Sequence, residues 1–239
     1  MSLGVKKLTL VAALAAVYAV VSYILPSFPM IGVPDAKISI ARSLEMGYGF
    51  ILGPVLGPLT AFLGDLTSKM ILQPTRIPFA FLAPVSTFAA AATSRRRVFG
   101  VQGWILATAV SSALILGWYA TPVGREALYY PSLHLIGLGI LFSGSTLAKY
   151  INSIDKKKVT IGVALVSFSS TMAGHMAGNL LFMATFPGVA NATYFMIILP
   201  ISAIERLIMT IIGTVIGVPL IFTARAVFPD LMRECVGRR

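Results

Sequence analysis

The sequence predicts an all-α protein: a polytopic membrane bundle of six to eight transmembrane helices, with both termini in the cytoplasm. Of its 239 residues, 57% are hydrophobic and only 11% are charged, at a mean hydropathy of +0.88. A soluble domain carries about 25% charged residues. The apolar residues also form long runs, and the basic residues lie between those runs and near the end of the chain. This pattern is typical of integral membrane proteins.

Eight apolar segments are candidates for crossing or entering the bilayer. They are 8–25, 38–52, 55–72, 78–94, 100–119, 132–150, 159–186 and 194–224. The first has no clear cleavage site after it, so we interpret it as a retained span and not a signal peptide. The sequence GPVLGP favours a tight break between the second and third segments, although a single kinked helix also fits it. No soluble domain is visible, so residues 1–239 are treated as one integral-membrane domain.

Lysine and arginine predict the orientation, because cytoplasmic loops carry an excess of both. With the N-terminus in the cytoplasm, thirteen basic residues fall on the inner side and five on the outer side. The inner residues are Lys6, Lys7, Arg95–Arg97, Lys149, Lys156–Lys158, Arg225, Arg233, Arg238 and Arg239. The outer residues are Lys37, Arg42, Lys69, Arg76 and Arg125. This bias predicts an even number of crossings in a multi-pass protein of the cell membrane.

The same topology explains the net charge of +11. The basic residues flank apolar runs, so lipid is the expected surrounding and nucleic acid is not an expected partner. Aromatic residues near the ends of two segments fit interfacial belts. They are Trp104, Trp118, Tyr129 and Tyr130.

Charged side chains within the apolar segments are the first sign of function. An ionisable group at membrane depth costs about 3 kcal/mol on insertion scales, so it indicates either a functional site or a buried ion pair. Glu205 and Arg206 are adjacent within IILPISAIERLIMTIIG. Neighbours on a helix point about 100° apart, so each is expected to find a partner on another helix or in a ligand. In TMAGHMAGNLLFM, His175 and Asn179 share one helical face.

Further polar groups lie toward the outer ends of the second to fourth segments. Asp65 and Lys69 have the spacing of an i,i+4 ion pair. Together these groups suggest a cavity open to the outside. The predicted substrate-binding residues are His175, Asn179, Glu205, Arg206, Arg42, Glu45 and Arg76. The arginines suit an anionic ligand, whereas the carboxylates would suit a cation, so the ligand's charge stays open.

Enzymatic and metal-dependent functions find little support in the sequence. No Walker loop or dinucleotide-binding glycine motif occurs. HMAGN matches the H-x-x-x-N motif of intramembrane CAAX-processing proteases, but the paired-glutamate motif of those enzymes is missing. Two histidines and one cysteine, Cys235, fall short of the ligands that a zinc site needs. We therefore expect no enzymatic activity, no metal and no cofactor.

The chain resembles the substrate-binding S components of energy-coupling factor (ECF) vitamin transporters in three places. AALAAVYAV in the first span looks like the small-residue motif by which those proteins dock on their membrane partner. GFILGPVLGPLTAFLGDLTSKM is similar to the glycine–proline break and the G-D end of their second and third spans. The third likeness is a helix bearing His, Gly and Asn, then a short outer loop and a helix that opens with ILP. The docking residues so implied are Ala12, Ala15, Ala16 and Ala19.

The resemblance covers residues 8–94 and 159–224, and it implies a binding subunit without ATPase activity. Such a subunit captures a vitamin or related small molecule from outside. It docks on a membrane coupling protein with two ATPase subunits, and topples in the bilayer to release its cargo inside. Family members usually have six spans in a shorter chain, so a surplus hairpin is expected within 78–150. The alternative is a stand-alone secondary transporter driven by an ion gradient, which internal repeats would favour.

Overall fold

The computed structural model describes residues 3–29 and 37–230, and helices dominate both stretches. Within this part of the chain, six helical stretches are long and apolar enough to cross a membrane. They are Gly4–Ile24, Ile40–Leu72, Pro74–Thr93, Gly103–Ala120, Lys156–Thr185 and Ala192–Val227. The prediction of an all-α polytopic bundle is confirmed. Four residues named above, Arg233, Cys235, Arg238 and Arg239, lie outside the described residues.

Helix α1 (Leu3–Ile24) is the least buried of the six stretches. It packs against helix α2 and the short turn before it. Its buried side is formed by Val11, Tyr18 and Ser22. A two-stranded antiparallel ribbon follows, in which β1 (Ser27–Pro29) pairs with β2 (Lys37–Ser39).

Helix α2 (Leu44–Leu72) follows a 3-10 turn at Ile40–Ser43 and folds back on itself at Gly53. Gly53 has φ 87° and ψ −174°, a conformation suited to glycine, and Pro54 lacks the N–H that would continue the helical ladder. A Cβ on Gly57 would lie 2.9 Å from the carbonyl oxygen of Tyr48, so arms 44–52 and 54–72 lie side by side. The predicted break between the second and third segments is confirmed.

The fourth segment forms a 3-10 helix, Pro74–Leu82, that runs into α3 (Ala83–Thr93). Four consecutive alanines in α3, Ala89–Ala92, are fully buried, because small side chains let α2, α4 and α8 approach closely. A tight hairpin of β3 (Arg97–Val98) and β4 (Val101–Gln102) leads to α4 (Gly103–Ala120).

The sixth apolar segment forms two short helices instead of one long one. After α5 (Pro122–Glu126), α6 (Ser132–Leu141) and α7 (Gly144–Ile151) pack against α8. The eight apolar segments and the six long stretches therefore agree. Helix α2 accounts for two segments, and the α6–α7 pair accounts for one.

Helices α8 (Lys156–Thr185) and α9 (Ala192–Val227) complete the bundle and pack on each other. Asp155 and Asn191 cap them, each accepting a backbone N–H two or three residues on. Lys6 and Lys7 line a small crevice together with Phe228 and Asp230. The start of α1 thus lies beside the end of α9, as an even number of crossings requires. We call this side of the bundle the terminal end.

Candidate functional site

A cavity of about 570 Å³ lies far from the terminal end. Its walls come from the end of α1, the β1–β2 ribbon, the second arm of α2, the 3-10 helix before α3, and facing parts of α8 and α9. The α9 lining spans Tyr194 to Arg206, and the helix then continues for about 30 Å to Val227. The volume falls within the range of about 300–1,000 Å³ typical of small-molecule pockets.

Most of the predicted substrate-binding residues meet at this cavity. Those on its lining are Arg42, Arg76, His175, Asn179, Glu205 and Arg206. The structure therefore brings together residues from four separate parts of the sequence. Their role in binding stays a prediction.

Glu45 departs from the prediction, because its carboxylate lies behind the lining and is only 1% exposed. The Tyr18 hydroxyl donates to Oε1 at 3.1 Å, and the Ser86 hydroxyl donates to Oε2. Arg42 Nε lies 3.4 Å from Oε1. The first arm of α2 turns residue 45 toward α1 and α3, so Glu45 lies off the cavity lining and is placed to hold Arg42.

Asp65 and Lys69 form the ion pair that their spacing predicts. Lys69 Nζ lies 2.6 Å from Asp65 Oδ1, and both residues line the cavity. The second carboxylate oxygen, Oδ2, is buried and has no hydrogen-bond partner among the described residues. Asp65 lies on the α2 wall, which therefore holds one buried acceptor without a partner in the described residues.

The opposite wall, formed by α8 and α9, offers buried donors. Arg206 and Asn179 are only 5% and 6% exposed. Arg206 Nη2 makes a long contact of 3.4 Å with Glu205 Oε2, while Arg206 Nε has no partner in residues 3–29 and 37–230. Asn179 Nδ2 makes no hydrogen bond of full geometry there and has only a weak contact with the Tyr130 hydroxyl. A buried polar group left unpaired costs about 1–3 kcal/mol, so these groups are arranged for something other than stability.

His175 on this wall forms a pair with a second histidine behind it, which the sequence analysis did not predict. His134 Nε2 and His175 Nδ1 are 3.2 Å apart, and the two rings stack at 18°. Helix α6 reaches α8 closely because Gly137 faces Met172, where a Cβ would meet the side chain at 3.1 Å. The contact depends on helix packing, and no local pattern in the sequence indicates it.

Two residues assigned to an interfacial belt are instead core residues. Trp118 and Tyr130 are fully buried and stack at 4.8 Å, with Phe195 packed edge-on against both. Burial raises the pKa of the Tyr130 phenol. The belt prediction is wrong for these two residues, because the loop that carries Tyr130 folds inward between helices.

Aromatic side chains provide the apolar part of the cavity. Those on its lining are Tyr23, Phe79, Phe182, Tyr194 and Phe195. Arg76 stands 4.5 Å from the centre of the Phe186 ring, in cation–π geometry. The sequence analysis missed this set, since aromatic residues are common in any apolar segment.

The residues of the small-residue motif lie on the outer side of α1. Ala12 and Ala16 are exposed, and Ala15 and Ala19 are partly exposed. Ala12 and Ala16 are therefore available to lipid or to another protein, whereas the Ala15 carbonyl lies close to Gly64 of α2. Whether this side of α1 docks a partner stays a prediction.

The fold and the cavity define a class: a polytopic α-helical membrane protein with a polar cavity near one end. The chain is similar to an uncharacterized protein of Methanocaldococcus jannaschii, with 32% identity over 187 residues. The alignment covers 78% of this chain and 61% of the relative, so the chain spans less than two thirds of that protein's length. No protein-family model matches the chain, and no solved structure matches it.

Proposed function

We propose that the protein captures a vitamin-like small molecule from outside the cell membrane for ATP-driven import, as an S component of an ECF transporter does. The observation that carries this proposal is the cavity of about 570 Å³, whose lining includes two buried and incompletely paired charged residues, Asp65 and Arg206. Unpaired polar groups at this depth are expensive unless a ligand completes them. The cavity is also far from the terminal end, which the basic residues assign to the cytoplasm.

The proposal includes partners. The sequence has no nucleotide-binding motif, so uptake against a gradient needs an energy source from elsewhere. We propose a membrane coupling protein with two ATPase subunits as that source. The exposed alanines of α1 would let the helix of such a partner approach closely.

Identification of the bound compound tests the capture step. The full chain is purified in mild detergent and then denatured, and released small molecules are measured by mass spectrometry. We expect one compound in near-stoichiometric amount, and a strong decrease with Asn179→Ala. Arg96→Met, which replaces an exposed arginine outside the cavity, is the matched control and should retain the compound.

Uptake of that compound by cells tests the energy source. ATP depletion should stop uptake, whereas an ionophore that collapses ion gradients at constant ATP should leave it intact. The reverse result would contradict the proposal and identify a stand-alone secondary transporter.

A further inference from the structure

We infer that the cavity binds an anionic small molecule, with a carboxylate or phosphate group against Arg206, Asn179 and His175, and a planar ring among the aromatic side chains. The inference rests on the proposed capture function. It adds the chemical class of the ligand, which the sequence left open.

The first observation is the pair of open donors on the α8–α9 wall. Arg206 Nε and Asn179 Nδ2 can only donate. Nε has no partner among the described residues, and Nδ2 has only a weak contact with the Tyr130 hydroxyl, which falls short of hydrogen-bond geometry. Both side chains are more than nine-tenths buried and line the cavity. A group with two or more acceptor oxygens would satisfy both, and guanidinium binds carboxylate and phosphate especially well.

The histidine pair adds a third donor. His134 Nδ1 is buried without a partner in the part of the chain that the structure describes. A buried N–H without an acceptor is rarer than a buried lone pair without a donor. In the tautomer that leaves Nδ1 of His134 without a hydrogen, Nε2–H of His134 donates to Nδ1 of His175. In that tautomer the hydrogen of His175 is on Nε2, and His175 is a lining residue of the cavity.

The charge of the lining points the same way. The described lining carries five basic residues against two acidic ones. They are Lys37, Arg42, Lys69, Arg76 and Arg206, and Asp65 and Glu205. Glu45, behind Arg42, reduces the excess without removing it. An anion entering the cavity therefore meets a net attractive field, and a cation meets a repulsive one.

The α2 wall predicts the orientation of the ligand in the cavity. Asp65 Oδ2 is a buried acceptor without a partner in the described residues. A hydroxyl or ring N–H of the ligand would satisfy it while the acidic group contacts the α8–α9 wall. The aromatic residues, among them Phe79 and Phe182, surround the space between.

The test uses the full chain in detergent and four probes with one ring in common: benzoate, phenyl phosphate, benzamide and benzylamine. Binding is measured at millimolar concentrations by thermal shift and calorimetry. We expect benzoate or phenyl phosphate to bind at least tenfold more tightly than benzamide, and benzylamine not to bind. The order of the first two distinguishes a carboxylate ligand from a phosphate ligand. Equal binding of benzoate and benzamide, or a preference for benzylamine, would overturn the inference.

Asn179→Asp sharpens the test, because it keeps the side-chain size and replaces a donor with a carboxylate oxygen. We expect anion affinity to fall at least tenfold and benzylamine binding to appear. Arg206→Met should also remove the preference for anions, and Arg96→Met should leave it unchanged. Folding of each variant is verified by size-exclusion chromatography. If Arg206→Met does not fold, Asn179→Asp alone tests the preference for anions.

Two failures are distinguishable. If a compound co-purifies but the probes show a preference for cations, the anion inference fails and the proposed capture function stands. If no probe binds and no small molecule co-purifies, both fail.

Discussion

Arg95 and Arg206 are equally buried, with 4% and 5% exposure, but their surroundings differ sharply. Nη1 of Arg95 donates to the carbonyl oxygens of Gly49 and Ala91, each at 2.9 Å, and Nη2 donates to that of Phe50 at 3.3 Å. Arg206 has a long contact to Glu205, and its Nε has no partner in the described residues. Burial alone therefore does not identify a functional arginine. What separates the two is how completely the protein satisfies the guanidinium.

The Arg95 contacts follow from the break in α2. The first arm ends at Gly53, which leaves carbonyls near that end without helical N–H partners. A cation at a helix C-terminus satisfies such groups and also matches the helix dipole. Arg225 does the same at the end of α7, where it donates to the carbonyl oxygens of Ile151 and Ser153. In these two cases the arginine stabilises the fold by donating to carbonyl oxygens near the end of a helix.

The largest expected effect is the loss of stability in Arg95→Met. It would remove the guanidinium from the carbonyl groups of Gly49 and Phe50, at about 1–3 kcal/mol each, whereas the Ala91 carbonyl keeps the Ser94 hydroxyl as a donor; the free energy of unfolding should therefore fall by a few kcal/mol. Thermal unfolding in detergent measures this, with the exposed Arg96→Met as the control. An unchanged midpoint for Arg95→Met would show that the carbonyls find water or other donors, and the comparison with Arg206 would break.

Arg206→Met should give the opposite pattern, with affinity lost and stability little changed. A charge-assisted hydrogen bond contributes roughly 1.5–3 kcal/mol, so ligand affinity should fall about tenfold to a hundredfold. The unfolding midpoint should change little, because loss of the long contact with Glu205 is offset by removal of an incompletely paired buried charge. Calorimetry with the co-purifying compound and thermal unfolding measure the two effects. A lower midpoint with unchanged affinity would make Arg206 a second structural arginine.

The contrast between the two arginines also shows which features could not be predicted from the sequence. Arg95 was predicted only as part of a cytoplasmic cluster, because its acceptors Gly49 and Phe50 are distant in the chain. The break at Gly53 and the Asp65–Lys69 pair were predictable, since a glycine–proline step and an i,i+4 spacing are local features.

Contacts between helices explain what the sequence did not show. The His134–His175 pair needs α6 to meet α8, and the inward turn of Glu45 needs three elements in place. The burial of Tyr130 was missed for the same reason, because it depends on packing against Trp118 and Phe195 from two helices. Each apolar segment could be predicted from its own residues, whereas the partners of its polar residues lie on other segments and could not be predicted in this way.

Glu45→Gln should have an intermediate effect, because Glu45 touches the cavity only through Arg42. The amide keeps the shape but removes the charge opposite Arg42, so stability should fall by about 1–2 kcal/mol. Affinity should fall only about threefold, within the same order as one weak contact. Glu126→Gln, at an exposed position of α5, is the control for the loss of one negative charge. A hundredfold loss of affinity would instead place Glu45 in direct contact with the ligand.

The smallest effect on the isolated chain is expected from Ala16→Trp. Ala16 lies on the exposed side of α1, so added bulk there should change stability by no more than about 0.5 kcal/mol and leave ligand affinity unchanged. ATP-dependent uptake should nevertheless stop, because a large side chain would keep the helix of a partner at a distance. Val215→Trp, at an exposed position of α9, is the matched control and should retain uptake. Loss of affinity in Ala16→Trp would mean that this side of α1 supports the cavity from within. Normal uptake would mean that the α1 alanines face only lipid.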